Sequence, residues 1–214
     1  MLFISSQRLA RTLALTLALT LALTLAFAPA AHATSVVPPS FPELVSEADA
    51  IYRGRVTASI ARYVPRPDGG NVIKTYLTFA IDRVIKGSPQ SQIILEFLGG
   101  TIGEDTLTVS GMPRFTIGSP EIIFVQKNGI QFCPLVAVMH GRYRILRDAA
   151  AGREFIARDN GLPLAHPSEV ELPMTPLPAP LQAAAAAARG LTPASFEASI
   201  TSELQRPSLR PRRN

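Results

Sequence analysis

The chain of 214 residues has no tryptophan and one cysteine, Cys133. A single cysteine excludes an intramolecular disulfide, so the fold must rest on an apolar core. Cys133 sits in an apolar run, Gln-Phe-Cys-Pro-Leu-Val, and reads first as a buried, inert thiol, with an exposed reactive thiol as the second reading. Histidine is scarce as well: His32, His140 and His166. The latter two are not at metal-ligand spacing, and no cysteine or carboxylate cluster joins them. A Cys133–His140 nucleophile pair would lack a third, orienting group. Gly-x-Ser-x-Gly, Walker and Gly-x-Gly-x-x-Gly patterns are absent. The sequence therefore presents no catalytic, metal or cofactor constellation, and no enzymatic activity is expected from it. The low aromatic content, 7%, also weighs against a stacking platform for oligonucleotides or oligosaccharides.

A basic face is lacking too, although the net charge is +5 and the pI about 9.9. Of 21 Lys and Arg, six lie at the ends: Arg8, Arg11, Arg206, Arg210, Arg212 and Arg213. The remaining 15 meet 16 acidic residues, so the body between the ends carries about −1 and no nucleic acid is expected as a partner. The basic tail reads first as solvated, and second as a contact for anionic lipid or an acidic partner. Arg53-x-Arg55 and Glu104-Asp105 read as solvated surface, with calcium a distant second for the acidic pair.

What is present begins with an export signal. Arg8 and Arg11 precede a repeated Leu-Ala-Leu-Thr run, Pro29 breaks it, and Ala31-His32-Ala33 is a small-x-small cleavage site. The apolar run is longer than most signal cores and shorter than a spanning helix. Residues 1–33 are therefore expected to be a signal peptide, and an uncleaved anchor is the alternative. Cleavage would leave an exported protein, periplasmic or extracellular, without a transmembrane helix.

Ser40-Phe-Pro-Glu43 is a capping box with a proline in the first turn, which predicts a short helix to about Ala48 burying Leu44, Val45 and Ala48. From Asp49 the period changes to two. Strands are expected over 50–64, 72–85, 93–98, 106–109, 121–126, 132–139, 141–146 and 154–157, with a hairpin loop at 65–70. In the first, Tyr52, Gly54, Val56, Ala58 and Ile60 share one face. Long first strands interrupted by glycine predict a mainly β fold, a small closed or partly open Greek-key barrel of the OB type with short flanking helices. After about Asn160 prolines predict a linker, Pro/Ala-rich over 161–190. Thr192-Pro193 opens an amphipathic helix within a last segment, 191–214, that ends in the basic tail. Its stripe of Leu191, Phe196, Ile200 and Leu204 must dock either on the barrel or on a partner.

Three motifs carry a family resemblance: Ala48-Asp49-Ala50-Ile51-Tyr52-Arg53-Gly54-Arg55-Val56, then Ile81-Asp82-Arg83-Val84-Ile85-Lys86-Gly87, then Gly111-x-Pro-x-Phe-x-x-Gly118. They resemble exported bacterial proteins with a netrin-like fold, the OB-type barrel of the tissue inhibitors of metalloproteinases, over about residues 36–146. The lead-in Thr34-Ser35-Val36-Val37-Pro38-Pro39 is similar to the Cys-x-Cys-Val-Pro-Pro start of the animal inhibitors. In that family the α-amine and carbonyl of the first residue chelate the zinc of a metalloprotease, and the next side chain enters its specificity pocket. The resemblance implies those roles for Thr34 and Ser35, with Val36 beside them. The family staples its first and third residues by disulfides, and Thr34 and Val36 stand there instead. The resulting expectation is a non-catalytic, exported binding module with a protein partner, in its sharpest form a zinc metalloprotease. An envelope accessory protein that holds its partner through the C-terminal helix is the alternative, with an uncharacterised enzyme last.

Overall fold

The computed structural model describes residues 36–148, 151–174 and 189–206. Contacts divide the chain into Met1–Ser35, which lies outside the described residues, and Val36–Asn214, which holds the fold. The expected signal peptide falls in the first of these. No helix among the described residues is long and apolar enough to cross a membrane.

The fold opens with α1, Phe41–Glu47. The Ser40 backbone N–H donates to Glu43 Oε2 at 2.8 Å and the Glu43 N–H donates back to Ser40 Oγ, a reciprocal cap that satisfies two end donors. Phe41, Leu44, Val45 and Ala48 are buried. The strands are β1 (Ala50–Pro65), β2 (Asn71–Lys86), β3 (Gln92–Leu98), β4 (Gly100–Ile102), β5 (Asp105–Leu107), β6 (Pro120–Val125), β7 (Arg142–Arg147) and β8 (Glu154–Arg158). Six form an antiparallel sheet in the order β3-β2-β1-β6-β7-β8, and β4 pairs with β5 alone. Strand β6 returns to lie beside β1 after the β1-β2-β3 meander, which is Greek-key connectivity.

The sheet curls without closing strand to strand. The free side of β3 is instead met by the loop after β6. The Leu98 N–H donates to the Phe132 carbonyl at 2.8 Å, the Glu96 N–H to Asn128 Oδ1 at 3.0 Å, and Asn128 Nδ2 to the Ile94 carbonyl at 2.8 Å. The architecture is thus mainly β and a partly open barrel. At the opposite end β8 is covered in the same manner: the Ile156 N–H donates to the Leu191 carbonyl, and the Leu164 N–H to the Ile156 carbonyl.

Two apolar layers result, one on each face. Inside the curl lie Tyr52, Val56, Leu77, Phe79, Leu95, Phe97, Ile123, Cys133 and Leu135. On the opposite face Ile51, Ile122, Phe124, Tyr143, Ile145 and Ile156 pack against α1 and α2, the C-terminal helix Pro193–Gln205. Thr192 caps α2 by accepting the Ser195 N–H at 3.1 Å, and Pro193 occupies its first turn. Its Phe196 ring lies 4.9 Å from Tyr143, 6.0 Å from Phe41 and 6.3 Å from Phe124. Phe196 and Ile200 are fully buried, each worth about 1.5–3 kcal/mol of apolar transfer. Glu197 fixes the helix to the sheet through Arg53 at 3.2 Å and Arg83 at 2.8 Å.

Three expectations need correction. The alternation expected along β1 does not persist, because register shifts, one of them between Val56 and Ala58, reassign the faces. Ser59 pairs with buried Leu77 and turns inward, whereas Ile60 pairs with Tyr76 and is 48% exposed. Residues 132–139 do not form a strand. Only Leu135 bridges to Val125, and Ala137 and Val138 have positive φ, 46° and 57°, where a 3-10 helix, Val138–Gly141, begins. Pro134 has no N–H to give to a ladder, and two successive residues of positive φ turn the chain out of extended geometry. Of the expected linker, the described residues 161–174 lie on the body: Leu164 and Val170 are buried in the layer beneath the helices. A 3-10 helix, Pro167–Glu171, presents Val170 to that layer. Residues 175–188 lie outside the described residues, as do 207–214 with most of the basic tail.

Candidate functional site: the lead-in and the mouth of the curl

Thr34 and Ser35 lie outside the described residues. Val36, the third residue of the expected contact, is half-buried, Val37 is 81% exposed, and Pro39 is buried against the body. Pro39 and the Ser40 cap therefore anchor the lead-in where it joins α1, and Val37 projects from it.

The motifs of the family resemblance prove to be structural joints. Lys86 Nζ, reaching from the end of β2, donates to the carbonyls of Val45 at 2.9 Å, Ser46 at 3.1 Å and Ala48, closing the C-terminus of α1. Burial lowers the Lys86 pKa, and Asp49 opposes that shift. Asp49 Oδ2 accepts the Lys127 N–H at 2.7 Å, where Lys127 is left-handed at φ 47°. Ala48-Asp49 and Lys86-Gly87 thus join α1, β1, β2 and the β6 loop. The third motif builds a wall. Pro113 is buried, Phe115 lies 5.4 Å from Phe97, and the Gly118 N–H donates to the Val56 carbonyl at 2.8 Å.

That wall borders a groove of about 520 Å³ at the mouth of the curl. Leu77, Phe97, Leu107, Met112 and Phe115 provide apolar surface, while Ser59, Thr75, Thr101, Thr106, Thr108 and Ser110 provide hydroxyls. The chain enters it by a sharp crossing at Gly99-Gly100. A Cβ on Gly99 would lie 2.7 Å from the Leu107 carbonyl oxygen, and one on Gly100 would lie 2.3 Å from Thr75 Oγ1. Both residues have positive φ, 100° and 138°, so only glycine brings the β4-β5 hairpin down onto the inner side of β1 and β2. Arg114 is the one charged residue among the described residues that line the groove. It is exposed, and among the described residues no hydrogen bond or ion pair engages it.

The other titratable groups singled out in the sequence serve the fold. Burial raises the Cys133 thiol to about 12, so the thiolate needed of a nucleophile is suppressed. His140 is buried; its desolvation and the Arg158 guanidinium hold the imidazole below its ordinary value, while a hydrogen bond to the Val170 backbone acts in the other direction. His166 Nδ1 accepts the Ser168 N–H and caps the second 3-10 helix. Arg53 is committed to Glu197 and Arg55 to Asp82 at 2.9 Å, so neither is merely solvated. Glu104 stands at the β4-β5 turn and Asp105 accepts the Tyr63 hydroxyl. A buried ion network that sequence reasoning missed lies behind Phe115. Arg142 Nε donates to Glu121 Oε2 at 2.8 Å, its Nη1 to Asp159 Oδ1 at 2.8 Å and its Nη2 to Glu121 Oε1, while its guanidinium stacks 4.4 Å from the Phe115 centroid. Among the described residues no group of three His, Cys, Asp or Glu could hold a metal ion.

The groove therefore offers hydroxyls, apolar surface and one cation, a set suited to non-covalent recognition. The stripe expected on α2 is not free for a partner: Leu191 packs against the body, Phe196 and Ile200 are in the core, and Leu204 is 37% exposed. No protein-family model matches this chain, and no curated protein matches it.

Proposed function

We propose that this protein is an exported, non-catalytic binding module of netrin-like, TIMP-like type whose partner is a protein, in its sharpest form a zinc metalloprotease. The lead-in is the observation that carries this reading. Pro39 is buried, the Ser40–Glu43 box fixes the next turn, and Val37 stands 81% exposed just before them. A short segment held at one end and projecting at the other loses less freedom on binding than an untethered terminus. The partly open Greek-key barrel is the second support, since it is the architecture that the resemblance implies. Export after Ala33 would place a free α-amine on Thr34, three residues before Val37.

The test is inhibition of bacterial matrixin-like proteases by the secreted form. Mature protein with a free Thr34 amine is expected to inhibit, and acetylation of that amine is expected to abolish inhibition, because an amide nitrogen does not coordinate zinc. Unchanged inhibition after acetylation would sink the chelating mechanism. The alternative in which α2 holds the partner has less support, since engaging that stripe would pull Phe196 and Ile200 from the core at several kcal/mol.

A further inference from the structure

The edge of β1 beside the groove is unpaired over half its length. Strand β1 spans sixteen residues, but β6 accompanies it only from Ala50 to Arg55. The last backbone bond on that side is from the Gly118 N–H to the Val56 carbonyl. From 57 to 65, β1 bonds to β2 alone, and among the described residues no backbone hydrogen bond reaches its other side. A row of free N–H and C=O groups of that length is a template for another strand. The two outer edges of the six-stranded sheet, at β3 and β8, are by contrast covered by the chain's own loops. Among the described residues nothing of the kind covers β1 here, and the strand's first proline is Pro65, at its end.

We infer that this edge and the groove together receive an extended, acidic segment of a partner protein. The segment adds to β1 as a strand. Its inward side chains lie against the apolar lining of Leu77, Phe97 and Phe115, and a carboxylate meets Arg114. Three observations converge on that occupant. The free edge asks for main-chain groups, which a polypeptide supplies along its length. Ser59, on the unpaired stretch of β1, lines the groove, so the edge and the cleft are continuous. Among the described residues the lining holds one cation, with no counter-ion, and no carboxylate, so a negative group is the complementary charge. Asp105, at the hairpin end, is already engaged by Tyr63. The inference shares with the preceding section only the premise of a protein partner and uses none of residues 34–36.

The test measures binding of two capped heptapeptides, Thr-Val-Thr-Asp-Thr-Val-Thr and its Lys-centred counterpart, to the exported form by fluorescence anisotropy. The Asp peptide is expected to bind at least about tenfold more tightly, and Arg114→Glu to reverse the order. N-methylation of one alternate set of peptide amides is expected to abolish binding and of the other set to leave it, as strand pairing requires. Arg114 is exposed and unpaired, so the variant is expected to melt with the wild type; Arg114→Ala, losing discrimination without reversing it, is the second variant. Equal binding of the two peptides, an unchanged preference in Arg114→Glu, indifference to N-methylation, or no binding of the Asp peptide at millimolar concentration would each overturn the inference. So would sedimentation showing a dimer that the peptide cannot compete, which would place a second copy on the edge. Protein acetylated at Thr34 should bind the Asp peptide unchanged, which separates this site from the inhibitory terminus.

Discussion

The two faces of the six-stranded sheet are buried by different means. Beneath α1 and α2, Glu197 is matched by Arg53 and Arg83, and the carbonyl end of α1 by Lys86. Inside the curl, the deep end is matched just as closely, by Arg142 with Glu121 and Asp159, but the mouth is not. There Arg114 stands exposed and the β1 edge is unpaired. Unpaired polar groups cost little while water reaches them and a great deal once it is excluded. The contrast teaches that this protein spends its charges on stability at one end of the barrel and leaves hydrogen-bonding capacity unspent at the other.

Two arginines offer the sharpest way to break that contrast. Arg142→Met would strand Glu121, a carboxylate with no exposure, and is expected to cost about 3–5 kcal/mol in urea denaturation at pH 7. Burial already raises the Glu121 carboxyl and Arg142 holds it down, so in the variant Glu121 should take up a proton more readily. The loss should shrink as the pH is lowered. Arg114→Ala, the same deletion at the mouth, is expected to stay within about 0.5 kcal/mol of wild type. Similar losses at the two sites would erase the distinction between a structural and a free cation.

A smaller effect is expected where β2 meets α1. Lys86→Met keeps most of the stem but removes three donations to the carbonyls of Val45, Ser46 and Ala48. Charge-assisted bonds of this kind support an expected loss of about 2–3 kcal/mol, with faster amide exchange confined to α1 and the start of β1. A uniform increase across the sheet would mean that Lys86 is not a local joint.

Local chemistry made the ends of elements legible in the sequence. Ser40 with Glu43, and Thr192 with Pro193, name their helices without reference to anything distant. The long strands β1 and β2 were equally readable from their period. The bulge between Val56 and Ala58 was not, since a two-residue period runs through it unbroken in the sequence and only pairing with Phe79 and Thr78 reveals the slip. Leu164 and Val170 were hidden among prolines, without the spacing that marks a buried face. The groove was the least legible part. Ser59 is not among the residues whose alternation marks a face of β1, Arg114 stands in no pattern of its own, and only tertiary contacts show Gly99-Gly100 as a crossing that lays β4 over β1 and β2. Its lining comes from segments brought together by tertiary packing, and no window of sequence contains it.

The smallest effect, and the one that sharpens the contrast most finely, is expected at His140. It is buried beside the ion network with Nδ1 unpartnered, so it belongs to the matched end of the barrel yet is not itself fully matched. Burial, and after it Arg158, holds its pKa below the ordinary 6.5. As pH falls, the unfolded chain then takes up this proton before the folded one does, and stability follows the excess of protons on the unfolded side. The contribution is whole above about 6.5 and is lost as the pH falls through the lowered folded value. Glu121 works in the opposite sense, because burial raises its carboxyl: its contribution is whole at low pH and is lost as the pH rises. The two are separated by difference. His140→Gln keeps a donor for the Val170 backbone and cannot titrate, so its melting temperature should fall less than that of the wild type between pH 7 and pH 5, with Glu121 common to both. Parallel curves would mean that His140 charges in the folded state at no cost, and that the deep end of the barrel is as open to water as its mouth.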